Sequence, residues 1–191
     1  MNNFQTERQL RNLSISDDLE EVNVKWDETR IYELPEGADE HAENEIKTIS
    51  HETTSPFRPH KNLVDALKKL RKHGLAIQGI ELDDEAKQVK RWIVTNLKIE
   101  GNALKQQSRA TITLGVKSEL TGKVGKMQVG TVTMYPKDDD KVKYQGAPQM
   151  TTIIEDISAE VWEYMDGKIE SVDVPDPQYS LFPRRIEIET A

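Results

Sequence analysis

Residues 90–136, KRWIVTNLKIEGNALKQQSRATITLGVKSELTGKVGKMQVGTVTMYP, carry the pattern of a β-sheet. Three runs within them alternate apolar and polar side chains at the two-residue period of a half-buried strand. Ile93, Thr95, Leu97 and Ile99 share one face of the run 90–99. Ala110, Ile112, Leu114 and Val116 do the same over 107–117, and Met127, Val129 and Tyr135 over 126–135. Glu100-Gly101-Asn102 and Thr121-Gly122-Lys123 supply turn chemistry between the runs. The segment therefore predicts an antiparallel meander that needs a cover for one face.

The cover comes from two segments whose apolar residues recur at three and four. Over 60–73, Leu63, Ala66, Leu67 and Leu70 form one face of a helix capped by His60 or Asn62, with Gly74 as its stop. Over 148–166, Met150, Ile153, Ile154, Ile157, Val161, Tyr164 and Met165 form another stripe. There Pro148 suits the first turn, Thr152 and Glu155 match a capping box, and Gly167 ends the run. Between the first helix and the meander, 75–82 reads as a short apolar strand.

Towards the amino end, Val22, Val24 and Trp26 alternate with Glu21, Asn23 and Lys25, and a further strand fits 45–54 before Ser55-Pro56-Phe57-Arg58-Pro59. Residues 1–17 hold only Phe4, Leu10, Leu13 and Ile15 as apolar points, which predicts a mobile arm or short helix. Residues 168–191 contain Pro175, Pro177 and Pro183 among acids and read as an extended tail. The expected organisation is an arm (1–17), one α+β domain (18–167) with a mainly antiparallel sheet and two amphipathic helices, and an acidic tail (168–191). A length of 191 residues suits one such core.

Composition narrows the function classes. Cysteine is absent, which removes disulfides, thiolate nucleophiles and thiolate metal sites. No apolar run reaches the length of a membrane span and the start lacks a signal-peptide core, so the expected location is cytoplasmic, with no membrane partner. The four histidines show no metal-ligand spacing, and Asp138-Asp139-Asp140 lacks the spaced ligands of a calcium loop. Gly122 and Gly125 match no phosphate-cradling motif, and no serine sits in a nucleophile elbow. The sequence thus predicts no metal, no cofactor and no catalytic residues.

Charge is segregated along the chain. Residues 1–52 carry 14 acids and 5 bases, residues 58–126 carry 7 and 15, and residues 127–191 carry 13 and 6, within a net −8. In the basic middle, Arg58, Lys61, Lys68, Lys69, Arg71 and Lys72 gather near the first helix, while Lys90, Arg91, Lys105 and Arg109 decorate the strands. With Trp92 they form a candidate nucleic-acid surface that tracks phosphates and stacks bases. The same segregation also fits a self-assembling scaffold whose acidic flanks meet a neighbour's basic centre. A metal-dependent nuclease built on gathered carboxylates is the enzymatic alternative.

The tail contributes one short motif, Gln178-Tyr179-Ser180-Leu181-Phe182, between Pro177 and Pro183. It resembles the bacterial sliding-clamp-binding pentapeptide, usually Gln-Leu-Ser/Asp-Leu-Phe, over these five residues alone. The resemblance implies that Gln178 hydrogen-bonds in a small subsite, that Ser180 takes the small polar position, and that Leu181 and Phe182 fill an apolar pocket. Tyr179 departs from the usual leucine. The implied function is a non-enzymatic accessory protein of bacterial or phage DNA metabolism, recruited to the sliding clamp by its tail and touching nucleic acid with its basic middle. A homo-oligomer is compatible with it.

Overall fold

The computed structural model describes residues 4–16, 21–32, 45–80, 91–102, 107–118, 120–135 and 144–167. Their elements run β1 (Phe4–Ile15), β2 (Val22–Tyr32), β3 (Glu45–Ser55), α1 (Lys61–Ile77), β4 (Trp92–Asn102), β5 (Gln107–Lys117), β6 (Val124–Gln128), β7 (Val132–Thr133) and α2 (Ala147–Met165). The strands make one antiparallel sheet in the order β3-β2-β1-β4-β5-β6, with β7 also on β5. The fold is α+β, and both helices cover the sheet face on which Leu10, Leu13, Val22, Val24, Val94, Leu97, Ile112 and Leu114 are buried.

The largest departure from the sequence reading is residues 1–17. Instead of an arm, Phe4–Ile15 is an interior strand between β2 and β4. Leu10, Leu13 and Ile15 all point into the core, yet they are spaced by three and then two because Arg11 is an extra residue between the pairs Leu10–Trp26 and Asn12–Lys25. A bulge of this kind switches the phase of the alternation and hides the strand. The same happens in β4, where the register slips between Val94 and Asn96. Val94, Leu97 and Ile99 are therefore the core positions, and Ile93 lies on the other face.

These two bulges shape the sheet. β1 and β4 pair only through Asn12–Lys98, Leu13–Leu97 and Ser14–Asn96. Arg11 flanks that joint at one end and Thr95 at the other, so each strand bends away from its neighbour beyond it. The sheet is thus two wings, β1-β2-β3 and β4-β5-β6, hinged on three residue pairs. On the Arg11 side the wings fork, and Arg11 spans the fork by donating to the Gly101 carbonyl and to Asp27 Oδ2 at 2.6 Å. Ser50 Oγ donates to the other Asp27 oxygen at 2.7 Å, which carries the network across to β3.

Burial on its own pushes the Asp27 carboxyl up, but the hydrogen bonds from Ser50 and Arg11 and the guanidinium charge outweigh it and hold its pKa below the ordinary 3.8. A carboxyl with a lowered folded pKa adds stability above its unfolded value and loses that stability as pH falls through the folded one. Asp27→Asn is therefore expected to destabilise the protein at pH 7 by roughly 1–2 kcal/mol, the scale for charged hydrogen bonds on a part-buried group. Urea melts at pH 7 and near pH 2 check this: the deficit shrinks towards zero at the acid end.

Both helices differ in detail from the sequence reading. α1 starts at the expected cap, with His60 Nδ1 accepting from the Leu63 amide, but it continues through Gly74 to Ile77. Gly74 is a packing residue, since a Cβ there would sit 3.1 Å from Leu114 Cδ1. The strand expected over 75–82 is helix to Ile77 and turn beyond, with Gly79 at φ 70° ending it; 81 and 82 lie outside the described residues. α2 is capped at Gly146, ahead of the expected capping box at Thr152 and Glu155, and Thr152 bonds back to the Pro148 carbonyl instead. The run 126–135 divides into β6 and β7, and Gly101 belongs to β4, not to a turn.

α2 crosses the two wings. Near its start Thr151 Oγ1 donates to the Met134 carbonyl, and near its end Trp162 meets Trp26 of β2 edge-on at 6.3 Å. The Tyr164 hydroxyl donates to the Phe57 carbonyl at 2.6 Å and lies 2.7 Å from Ser55 Oγ. With its Nδ1 used as an acceptor, His60 carries its proton on Nε2 and donates to the Glu160 carbonyl at 3.1 Å, which locks α1 to α2. No helix among the described residues is long and apolar enough to cross a membrane.

Candidate nucleic-acid interface

α1 separates its residues by the helical period. Leu63, Ala66, Leu67, Leu70 and Gly74 are buried, and Lys61, Lys68, Lys69 and Lys72 are exposed on the opposite side. Lys61, Asp65, Lys68 and Lys72 follow the spacing i, i+4, i+7 and i+11, so they form one stripe about 16 Å long, with Lys69 beside it. Exposed Arg58 precedes the helix and extends the cationic surface past its amino end.

Asp65 is the only acid of α1, and it reports the local field. Its carboxylate accepts from Lys68 Nζ at 2.6 Å, and that bond, with the charges of Lys68, Lys61 and Lys69, holds its pKa below the ordinary range. The next helix has the opposite character: α2 carries Glu155, Asp156, Glu160 and Glu163 and no lysine or arginine. The helix layer is therefore polarised, with a cationic ridge along α1 and an anionic one along α2. This accounts for part of the charge segregation along the chain, because oppositely charged segments pack side by side.

The other candidate residues do not join the α1 stripe. Arg71 is half-buried and donates to the Trp92 carbonyl at 3.1 Å, fastening α1 to β4. Arg91 bonds the Lys117 carbonyl through Nε and Nη2, at 3.4 and 3.1 Å. Trp92 packs against the core, so its ring is a structural contact and not an open stacking platform. Arg109 is exposed and stands opposite Glu100 in the β4–β5 register, on the sheet face away from the helices. Lys90, Lys105 and the peptide 178–182 lie outside the described residues. His73, which borders the stripe, is pushed down by burial and by Lys72, and its Nδ1 lies 2.7 Å from the Tyr144 hydroxyl, so it adds no charge at neutral pH.

Two features of the surface had no signal in the sequence pattern. The fork between β1 and β4 depends on bulges, and the polar residues along the open sheet face, such as Asn12, Asn96, Thr111 and Thr113, read as ordinary solvated positions. Among the described residues no group of three His, Asp or Glu side chains is placed to hold a metal ion. Comparison with known proteins gives no family for the chain: no protein-family profile, curated protein or solved structure matches it.

Proposed function

We propose that the chain is a non-enzymatic accessory protein of nucleic-acid metabolism that lays the exposed face of α1 along a phosphate backbone. The observation carrying this reading is the stripe of Lys61, Lys68 and Lys72, flanked by Lys69 and Arg58, on a helix whose other face is fixed in the core. A rigid row of ammonium groups displaces condensed counterions without sequence preference. Recruitment comes from the tail: Gln178, Leu181 and Phe182 dock on a bacterial sliding clamp, a reading supported by the five-residue resemblance and by the prolines that bracket it.

Fluorescence anisotropy with a labelled single-stranded oligonucleotide tests the first part. Four lysine contacts predict a slope of about −3 in log K against log salt. Lys68→Glu with Lys69→Glu is expected to weaken binding by about tenfold or more, whereas Asp65→Asn, which removes the stripe's one negative charge, strengthens it. Binding insensitive to both changes removes α1 from the account. Retention on immobilised clamp, lost in Leu181→Ala, Phe182→Ala, tests the tail separately.

A further inference from the structure

β3 is one edge of the sheet, and among the described residues no strand pairs with its outer side. It is long and regular for an edge: 11 residues, matched to β2 one for one from Val22–Ser55 to Tyr32–Glu45, with no bulge and no proline. Shortness, bulges, prolines and lysines are the usual guards of an edge strand, and Lys47 is the one such feature here. The opposite edge is guarded by its length, since β6 has only 5 residues.

The large apolar side chains left exposed among the described residues are Leu120 and two on this one strand, Ile46 at 61 % and Ile49 at 42 %. Residues 46–50 are exposed without interruption, so the helices leave this half of β3 uncovered. The strand is also self-complementary about its centre. An antiparallel pair of copies related by a two-fold axis through Ile49 sets Ile49 against Ile49, with Thr48 against Ser50 on either side, which are favourable apolar and hydroxyl cross-strand pairs. Further out Lys47 meets His51 and Ile46 meets Glu52. Each Lys47 then lies one register step from the other copy's Glu52, and no two lysines or two carboxylates stand opposite. Moving the axis to Lys47 or to Glu52 puts like charges on it, which disfavours those registers.

From this we infer that the free edge of β3 pairs with β3 of a second copy of the chain, antiparallel about Ile49, joining two sheets into one across a two-fold axis. The pairing uses up both long edges and leaves only the short β6 edges, so assembly closes at two copies. It draws on no residue of the α1 stripe and stands apart from the nucleic-acid reading.

The chain has no cysteine, so a single introduced one links only to another copy. On mild oxidation of the full chain, Ile49→Cys is expected to run mostly as a disulfide-linked dimer, because the axis brings its two Cα atoms to about 5 Å. Ile46→Cys and Thr54→Cys, whose copies stand roughly 20 and 30 Å apart along the ladder, link at least about tenfold less. Sedimentation of the wild type is expected to show a dimer at micromolar concentration, and Ile49→Lys, at an exposed position, a monomer whose circular-dichroism spectrum is unchanged. A wild type that stays monomeric up to about 100 μM leaves the edge to some other chain and overturns the inference. Equal linkage at the three cysteine positions, or a dimer that survives Ile49→Lys, overturns it as well.

Discussion

Leu13→Ala is expected to destabilise the protein by about 3 kcal/mol, in the range for truncating a fully buried leucine. Leu13 is 1 % exposed and pairs with Val24 on one side and Leu97 on the other, so it occupies the three-residue joint that connects the wings. Its loss leaves a cavity at the one place where the halves of the sheet are hydrogen-bonded, and neither wing can close over it without moving the other. Urea melts measure the effect, with exposed Thr6→Ala on the same strand as a control near zero. A free arm over residues 1–17 predicts no difference between the two.

Gly115→Val is expected to cost about as much, by overfilling instead of emptying. On the sheet face away from the helices, a Cβ at Gly115 would lie 2.7 Å from Val124 Cγ1, 2.8 Å from Thr95 Cγ2 and 3.2 Å from Ile93 Cγ1. All three neighbours are β-branched and stiff at χ1, so none can swing away as a long side chain does. The strands must separate or the side chains leave their rotamers, at roughly 1–3 kcal/mol, with valine at the upper end. The midpoint of denaturant unfolding falls accordingly. Gly130, where a Cβ would meet nothing within 4 Å, tolerates alanine.

How much of this was legible in the sequence depended on whether a period survived. The stripe of α2 and the alternation of Ala110, Ile112, Leu114 and Val116 in β5 are unbroken, and those elements were readable to within a residue or two. Leu10, Leu13 and Ile15 lose their period at Arg11, and the strand they define reads as a polar arm. In α1 Gly74 has the look of a stop, yet it is buried against Leu114, where a larger residue would hold the helix off the sheet. Tertiary packing decided that position, and local preference did not.

The candidate interface was half legible. Helical spacing alone places Lys61, Lys68 and Lys72 on one face, because the apolar residues fix the other. What spacing could not give was the fate of Arg71, Arg91 and Trp92, whose roles depend on the carbonyls of Trp92 and Lys117 and on how β4 meets the core. Nor could it place Arg109 on the far side of the sheet, since that follows from the phase of β5 against the helices. A basic segment in sequence thus becomes a narrower basic ridge in space.

On the proposed function, nucleic acid lies along the exposed face of α1. Lysine acetylation read by mass spectrometry, with and without a short oligothymidylate, tests it most directly. The account predicts that Lys61, Lys68, Lys69 and Lys72 lose reactivity together when the oligonucleotide is present, while Lys25 and Lys98 on the opposite sheet face keep theirs. Protection of Lys25 and Lys98 with the α1 lysines unchanged, or no protection at all, contradicts it.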